Sequence, residues 1–123
     1  MPTASIPALR DCLDREMERL ELWPARAPWI RHAVAAHPRD AFAPPRLWAW
    51  DGHHYVPVDR GRDEERWARE VYSSPYRAAV TQVTGGVASS SLSCASVVVD
   101  MLDSLLLEEG HKVLELGTAT ARA

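Results

Sequence analysis

The sequence is poor in the features that mark secreted, membrane-spanning and nucleic-acid-binding proteins. It has two cysteines, Cys12 and Cys94, which are far apart in the chain and are predicted to be free thiols. No apolar run reaches the length of a membrane span, and no basic segment followed by an apolar one marks a secretory signal. A formal net charge of -3 provides no positive footprint for nucleic acid. These absences predict a cytoplasmic protein that binds neither a membrane nor nucleic acid.

Composition and length predict one small globular protein. Hydrophobic residues make up 46% of the chain and charged residues 25%, which are ordinary shares for this class. A chain of 123 residues is long enough for a single core. Residues 1–80 are predicted to form a region of helices and a hairpin, and residues 81–123 carry the segments in which chemistry is expected.

Four stretches have the periodicity or the boundary residues of helices. Residues 7–22 place apolar side chains three and four positions apart, and the Trp-Pro pair that follows is expected to end this helix. Residues 28–36 carry a proline in the first turn of a second helix, and Asp63 is the predicted N-cap of a third. Residues 95–107 form the fourth, which Gly110 is expected to close. Its apolar stripe, expected in the core, consists of Val97, Val98, Met101, Leu102, Leu105 and Leu106.

Extended segments are predicted on either side of the third helix. Residues 47–50 and 53–58 are separated by Asp51-Gly52, a dipeptide typical of tight turns, and are expected to pair as a hairpin. Residues 78–83 form another extended run, which ends at the glycines of a flexible loop.

The histidines show no metal-binding pattern. His32 and His37 are five residues apart, a spacing that does not place them on one face of a helix. His53 and His54 are adjacent, so their side chains would point to opposite faces of a strand. Ordinary structural or surface roles are therefore predicted for all four side chains.

A serine-rich stretch at residues 88–96 reads ASSSLSCAS. Serine clusters of this kind often supply helix caps and loop hydrogen bonds, and that role accounts for most of these hydroxyl groups. No Ser-His-Asp spacing in the chain supports a nucleophilic serine.

Residues 113–117, VLELG, have the pattern of a short buried strand followed by a turn. Val113, Leu114 and Leu116 supply the apolar run, and Gly117 stands where a strand would turn into a helix. Glycine permits a tight turn and a close approach of the backbone to a ligand. The pattern is therefore that of the first half of a βα unit that binds a nucleotide or cofactor.

These segments together resemble a known family. ELGTATA at residues 115–121 resembles the first motif of S-adenosylmethionine-dependent methyltransferases, in which an acidic residue precedes alternating glycines. With SSSLSCAS and VVVDMLDSLLLEEGHKVLELGT, the chain is similar to the protein-L-isoaspartate O-methyltransferase family over roughly residues 34–123. HPRDAFAPPRLW at residues 37–48 resembles the family's PR..F.P segment, in which Phe42 is expected to plug a hydrophobic pocket.

The resemblance implies an α/β fold: the N-terminal helical portion and first strand of a Rossmann-like methyltransferase, with an incomplete sheet whose other strands would follow residue 123. It implies methyl transfer from S-adenosylmethionine to an isoaspartyl carboxylate of a protein or peptide. Ser93 matches the family's active-site serine, whose hydroxyl can orient a carboxylate oxygen for in-line attack on the sulfonium methyl group. The cofactor-binding residues implied by the motif are Glu115, Gly117, Thr118 and Ala119.

The chain departs from the family at three positions: Ala119 and Ala121 replace motif glycines, and Ala95 replaces a proline. A methyl group at a motif glycine would crowd the cofactor or force an unfavourable backbone conformation. The alternative is an inactive remnant or a partner-binding module, with self-association through an uncovered sheet edge. The chain alone is expected to lack methyltransferase activity.

Overall fold

Helices and the strands of one antiparallel sheet alternate along the chain. The computed structural model describes residues 4–117. Four helices and four strands, with a 3-10 turn at Arg39–Ala41, follow in this order: α1 (Ile6–Arg19), α2 (Trp29–Ala36), β1 (Arg46–Trp50), β2 (Tyr55–Asp59), α3 (Glu64–Val71), β3 (Ala79–Thr84), β4 (Val87–Leu92) and α4 (Ala95–Ser104). The expected α/β class is confirmed.

Helix α1 begins at a serine cap and ends at a left-handed residue. The Ser5 hydroxyl accepts a hydrogen bond from the Ala8 amide, which satisfies one of the free N–H groups of the first turn. Glu21 has a φ of 56°, and the Leu22 amide then donates to the Met17 carbonyl at 2.9 Å. The helix therefore ends three residues before the predicted limit, and the Trp-Pro pair is not what ends it.

The sheet is built from two hairpins in the order β2-β1-β3-β4, with antiparallel pairing throughout. The predicted first hairpin is confirmed, but its second strand begins at Tyr55 rather than residue 53. One carboxylate oxygen of Asp51 accepts hydrogen bonds from the His53 and His54 amides, at 2.8 and 2.9 Å. These bonds form the turn, so both histidines lie exposed in it and not on a strand.

The second hairpin replaces the loop predicted after β3. Gly85 and Gly86 have φ angles of 59° and 80°, which suit the two central positions of a tight hairpin turn. The serine-rich segment then returns as β4 beside β3. β3 itself spans the predicted boundary at residue 80, so the sheet contains strands from both predicted regions.

The core lies between α1, α3 and the sheet. Asp63 caps α3 as predicted, since its carboxylate accepts from the Arg66 amide at 3.1 Å. Trp67 is fully buried, and its indole N–H donates to the Pro44 carbonyl at 2.9 Å. The other large side chains that are almost fully buried are Met17, Ile30 and Leu47.

Helix α4 and the residues after it differ most from expectation. The helix ends at Ser104, where Leu106 with a φ of 51° breaks it before Gly110 is reached. Of its apolar side chains only Val99 is buried, so the expectation of a core stripe is wrong for most of it. Residues 113–116 form no strand and are exposed, which corrects the predicted buried strand. The predicted stripe residues exposed by more than a third are Val97, Val98, Met101, Leu105 and Leu106.

Candidate functional site around Ser93

Ser93 lies in a two-residue link between a strand and a helix. β4 ends at Leu92 and α4 begins at Ala95, so Ser93 and Cys94 form the link. Just inside α4, the Ser96 amide donates to the Pro75 carbonyl at 2.9 Å, which fixes the first turn of the helix. Ser93 itself is exposed, so a substrate in solution can reach its side chain at the start of α4.

The Arg39 side chain holds the backbone of this link. Its guanidinium donates hydrogen bonds to the carbonyl oxygens of Leu92, at 3.1 Å, and of Ser93. Its Nε donates to the Val71 carbonyl, at 2.8 Å, at the end of α3. All three acceptors are neutral, and burial lowers the pKa of Arg39 from its ordinary value. The side chain therefore brings a positive charge to the link without a carboxylate among these acceptors.

A second polar cluster attaches the Arg39 turn to α1 and α3. Arg10 forms an ion pair with Asp40 at 3.1 Å, and the Asp40 amide donates to the Tyr72 hydroxyl at 3.1 Å. That hydroxyl donates in turn to the Asp40 carboxylate. Burial, followed by this hydrogen bond, raises the pKa of Tyr72, so the phenol stays neutral. The turn that carries Arg39 is thus held from two sides.

Cys94 is the N-cap residue of α4, and the pKa of its thiol responds to the charges and hydrogen bonds around the link. Burial opposes ionisation of its thiol, but the Ser96 hydroxyl, the Val97 amide and the Arg39 charge outweigh that effect and lower the pKa of Cys94. The local environment therefore favours negative charge one residue from Ser93.

An apolar groove of about 680 Å³ opens beside the link, next to α1, α2 and α4. Leu92 and Ala95, which flank the link, line this groove, and Arg39 also contributes to it. Phe42 lies against the same space, in keeping with its expected place in a hydrophobic pocket. The groove is therefore continuous with the residues that hold Ser93.

The predicted cofactor residues lie apart from this cluster. Glu115 and Gly117 follow α4 in an exposed segment without helix or strand, and neither lines the groove. Gly117 has a φ of 76°, a conformation that suits glycine, and the space where a Cβ would lie is open. Thr118 and Ala119 lie outside the described residues. Ser93 is not among the residues lining the groove either, so the groove does not unite Glu115, Gly117 and Ser93.

The comparisons with known proteins supply no relative from which a function could be read. The chain matches no protein-family model, no curated protein and no solved structure. Within residues 4–117, no group of three or more His, Cys, Asp or Glu side chains could hold a metal ion. No helix in that range is both long enough and apolar enough to cross a bilayer. The function must therefore be inferred from the residues around Ser93 and from the sequence motifs.

The sequence motifs indicate Ser93 as a candidate site residue but do not indicate the contacts of Arg39. The resemblance of residues 37–48 to the PR..F.P segment predicts a hydrophobic pocket for Phe42 but predicts no contact for Arg39. Arg39 and its acceptors are separated by 32 to 54 residues, so no local spacing indicates their contact. The local sequence places Arg39 directly after Pro38 and two residues after the C-cap of α2, and this pattern identifies no acceptor.

Proposed function

We propose that this chain is similar in function to protein-L-isoaspartate O-methyltransferases, which transfer a methyl group from S-adenosylmethionine to an isoaspartyl carboxylate. The observation that carries the proposal is the exposed Ser93 at the start of α4, with the Arg39 charge held against its backbone. The order of the serine, the helix and the VLELG segment supports it, since the family resemblance depends on that order.

Ser93 is proposed to orient the substrate carboxylate. Its hydroxyl would donate to one carboxylate oxygen and leave the other free to attack the methyl carbon in line with the breaking bond to sulfur. The new C–O bond forms as the C–S bond breaks, so the products are a methyl ester and neutral S-adenosylhomocysteine. No proton has to leave the substrate, because an ionised carboxylate is already nucleophilic. The serine therefore needs a position, not a strong base.

Glu115, Gly117, Thr118 and Ala119 are proposed, by resemblance, to contact S-adenosylmethionine. The left-handed Gly117 supports this in part, because a backbone turn without a Cβ can approach a ligand closely. Turnover by residues 1–123 alone is not expected. The strands of the described part form an antiparallel sheet, and residues 113–116 do not join it.

A second candidate function is partner binding, and exposed apolar side chains on α4 and directly after it favour it. Met101, Leu105 and Leu106 are each more than half exposed, as are the apolar residues of the VLELG segment. A cluster of this kind on a folded chain commonly marks a surface that another apolar layer covers. In a methyltransferase that layer would be the Rossmann-like sheet, and in a partner-binding module it would be another chain.

Calorimetric titration of S-adenosylhomocysteine into the purified protein separates these functions. Saturable micromolar binding, lost in Gly117→Val, supports the methyltransferase proposal, because valine is strained at this left-handed position. Gly110→Val is the matched control, since Gly110 also has a positive φ and open space but lies outside the motif. Absence of binding to a folded protein would contradict the proposal and favour partner binding.

A further inference from the structure

We infer that Arg39 is the positioning residue of this site: it fixes the Ser93 link and gives it the charge that selects an anionic substrate group. The inference rests on the proposed function and names a residue that the sequence motifs did not assign. The chemical class selected is a carboxylate, as distinct from the neutral amide of the same shape.

The contacts of Arg39 place three separate elements in one geometry. Its guanidinium nitrogens bind the last residue of β4 and the first residue of the link, while Nε binds the end of α3. A guanidinium has five N–H donors in a rigid plane, so these three acceptors fix its orientation. Lysine at this position would keep the charge but could not reproduce the planar fork.

The charge of Arg39 is available to a ligand because the three backbone carbonyl groups that accept its hydrogen bonds are neutral. Carbonyl oxygens accept hydrogen bonds from a guanidinium without neutralising its unit charge. A carboxylate would accept the hydrogen bonds and also neutralise the charge. The nearby Arg10 differs in this respect, since it is paired with Asp40. An anion at the Ser93 hydroxyl would therefore meet a net positive group in a partly buried setting, where electrostatic attraction is weakly screened.

The direct test measures the titration of the Cys94 thiol by the pH dependence of its alkylation. The background variant is Cys12→Ser, because Cys12 is an exposed free thiol that would also react. In this background Arg39→Gln should raise the alkylation midpoint, because one of the groups that lower the pKa of Cys94 loses its charge. Arg39→Lys should have an alkylation midpoint close to the wild-type value, because lysine keeps the positive charge. Arg26→Gln is the matched control, since it removes an exposed arginine that pairs with Asp103 and does not contact the link.

The second readout is binding of an isoaspartyl peptide against the same peptide with a neutral isoasparagine. The protein with Arg39 intact should prefer the carboxylate about tenfold, and Arg39→Gln should bind both alike while Arg39→Lys keeps part of the preference. Circular dichroism checks that each variant is folded. If Arg39→Gln does not fold, Arg39→Lys and the unmodified protein still decide between the outcomes.

Several results would overturn the inference, and they are distinguishable from one another. If the Cys94 alkylation midpoint is unchanged in folded Arg39→Gln, the Arg39 charge does not act at the link. The same conclusion follows if Arg26→Gln shifts the midpoint as much as Arg39→Gln does. A second outcome is that Arg39→Gln shifts the Cys94 midpoint but the unmodified protein does not prefer the isoaspartyl peptide. This outcome contradicts the proposed function, and with it the proposal that Arg39 selects the substrate. If Arg39→Gln does not fold, the test depends on Arg39→Lys, which keeps the charge. A Cys94 alkylation midpoint in Arg39→Lys that differs clearly from the wild-type value would then overturn the inference.

Discussion

At the scale of single residues, Trp67 contacts several parts of the structure at once. It is fully buried on α3, its N–H satisfies the Pro44 carbonyl before β1, and the Arg60 guanidinium lies 4.5 Å from the ring centroid. The indole therefore packs, donates a hydrogen bond and accepts a cation on one face. Its position ties α3 to the chain segment that leads into the sheet.

Replacing this indole should be among the most destabilising changes in the protein. Trp67→Ala leaves a large cavity and an unpaired carbonyl, so the free energy of unfolding should fall by about 3–5 kcal/mol. Urea denaturation followed by circular dichroism measures this. The matched control is Trp29→Ala, because Trp29 is 41% exposed and should cost about 1 kcal/mol or less. Similar losses for the two variants would contradict the assignment of Trp67 to the core.

At the scale of elements, α4 is attached to the rest of the fold by the buried Val99 and by an exposed ion pair near its end. Only Val99 of this helix is buried, whereas Asp103 near its end accepts two hydrogen bonds from Arg26, at 2.9 and 3.0 Å. The hydrogen bond and charge of Arg26 lower the pKa of Asp103 from its ordinary value. Because this ion pair is exposed, salt should weaken it.

The pairing predicts an acid-dependent loss of stability. A carboxyl group whose pKa is lower in the folded state stabilises the fold above its unfolded pKa of about 3.9, and this contribution is lost as the pH falls through the folded value. Asp103→Asn should therefore flatten the dependence of unfolding free energy on pH between about pH 5 and pH 2. Urea denaturation across this range measures it. Asp100→Asn on the same helix is the control, and an equal flattening there would refute the role of the Arg26 pair.

The elements that could be predicted are those whose signals are local. The Asp63 cap, the Asp51-Gly52 turn and the periodicity of α1 each depend on residues within a few positions, and each predicted its element. β4 was missed because serines have weak strand preference, although two glycines between extended runs are a hairpin signal. The exposure of α4 could not be predicted, since an apolar stripe indicates burial without indicating what covers it.

The candidate site followed the same division. An ordered set of motifs indicates Ser93, because its neighbours in sequence carry the resemblance, and its role stays a prediction. No such motif indicates the contacts of Arg39, since its acceptors come from the ends of α3 and β4 and only the fold brings them together. The short segment around Gly117 was predicted to be a strand because Val113, Leu114 and Leu116 favour one. A strand forms only when another pairs with it, and residues 4–117 provide no such partner.

At the scale of the whole molecule, the central proposal is that a substrate site at Ser93 and the motif residues Glu115, Gly117, Thr118 and Ala119 serve one reaction. Glu115 and Gly117 follow α4 and do not line the groove beside the Ser93 link, so each ligand should be identified by its own set of residues. The exposed apolar side chains of α4 lie between Ser93 and the motif residues in sequence.

The most direct measurement is a titration of the isotopically labelled protein followed by amide NMR spectra. S-adenosylhomocysteine should shift the amide signals of Glu115 and Gly117, and an isoaspartyl peptide added afterwards should shift those of Ser93, Cys94 and Ser96. The same peptide with an ordinary aspartate should produce smaller shifts. A folded protein whose spectrum does not change with either ligand, or whose shifts lie elsewhere, would contradict the account.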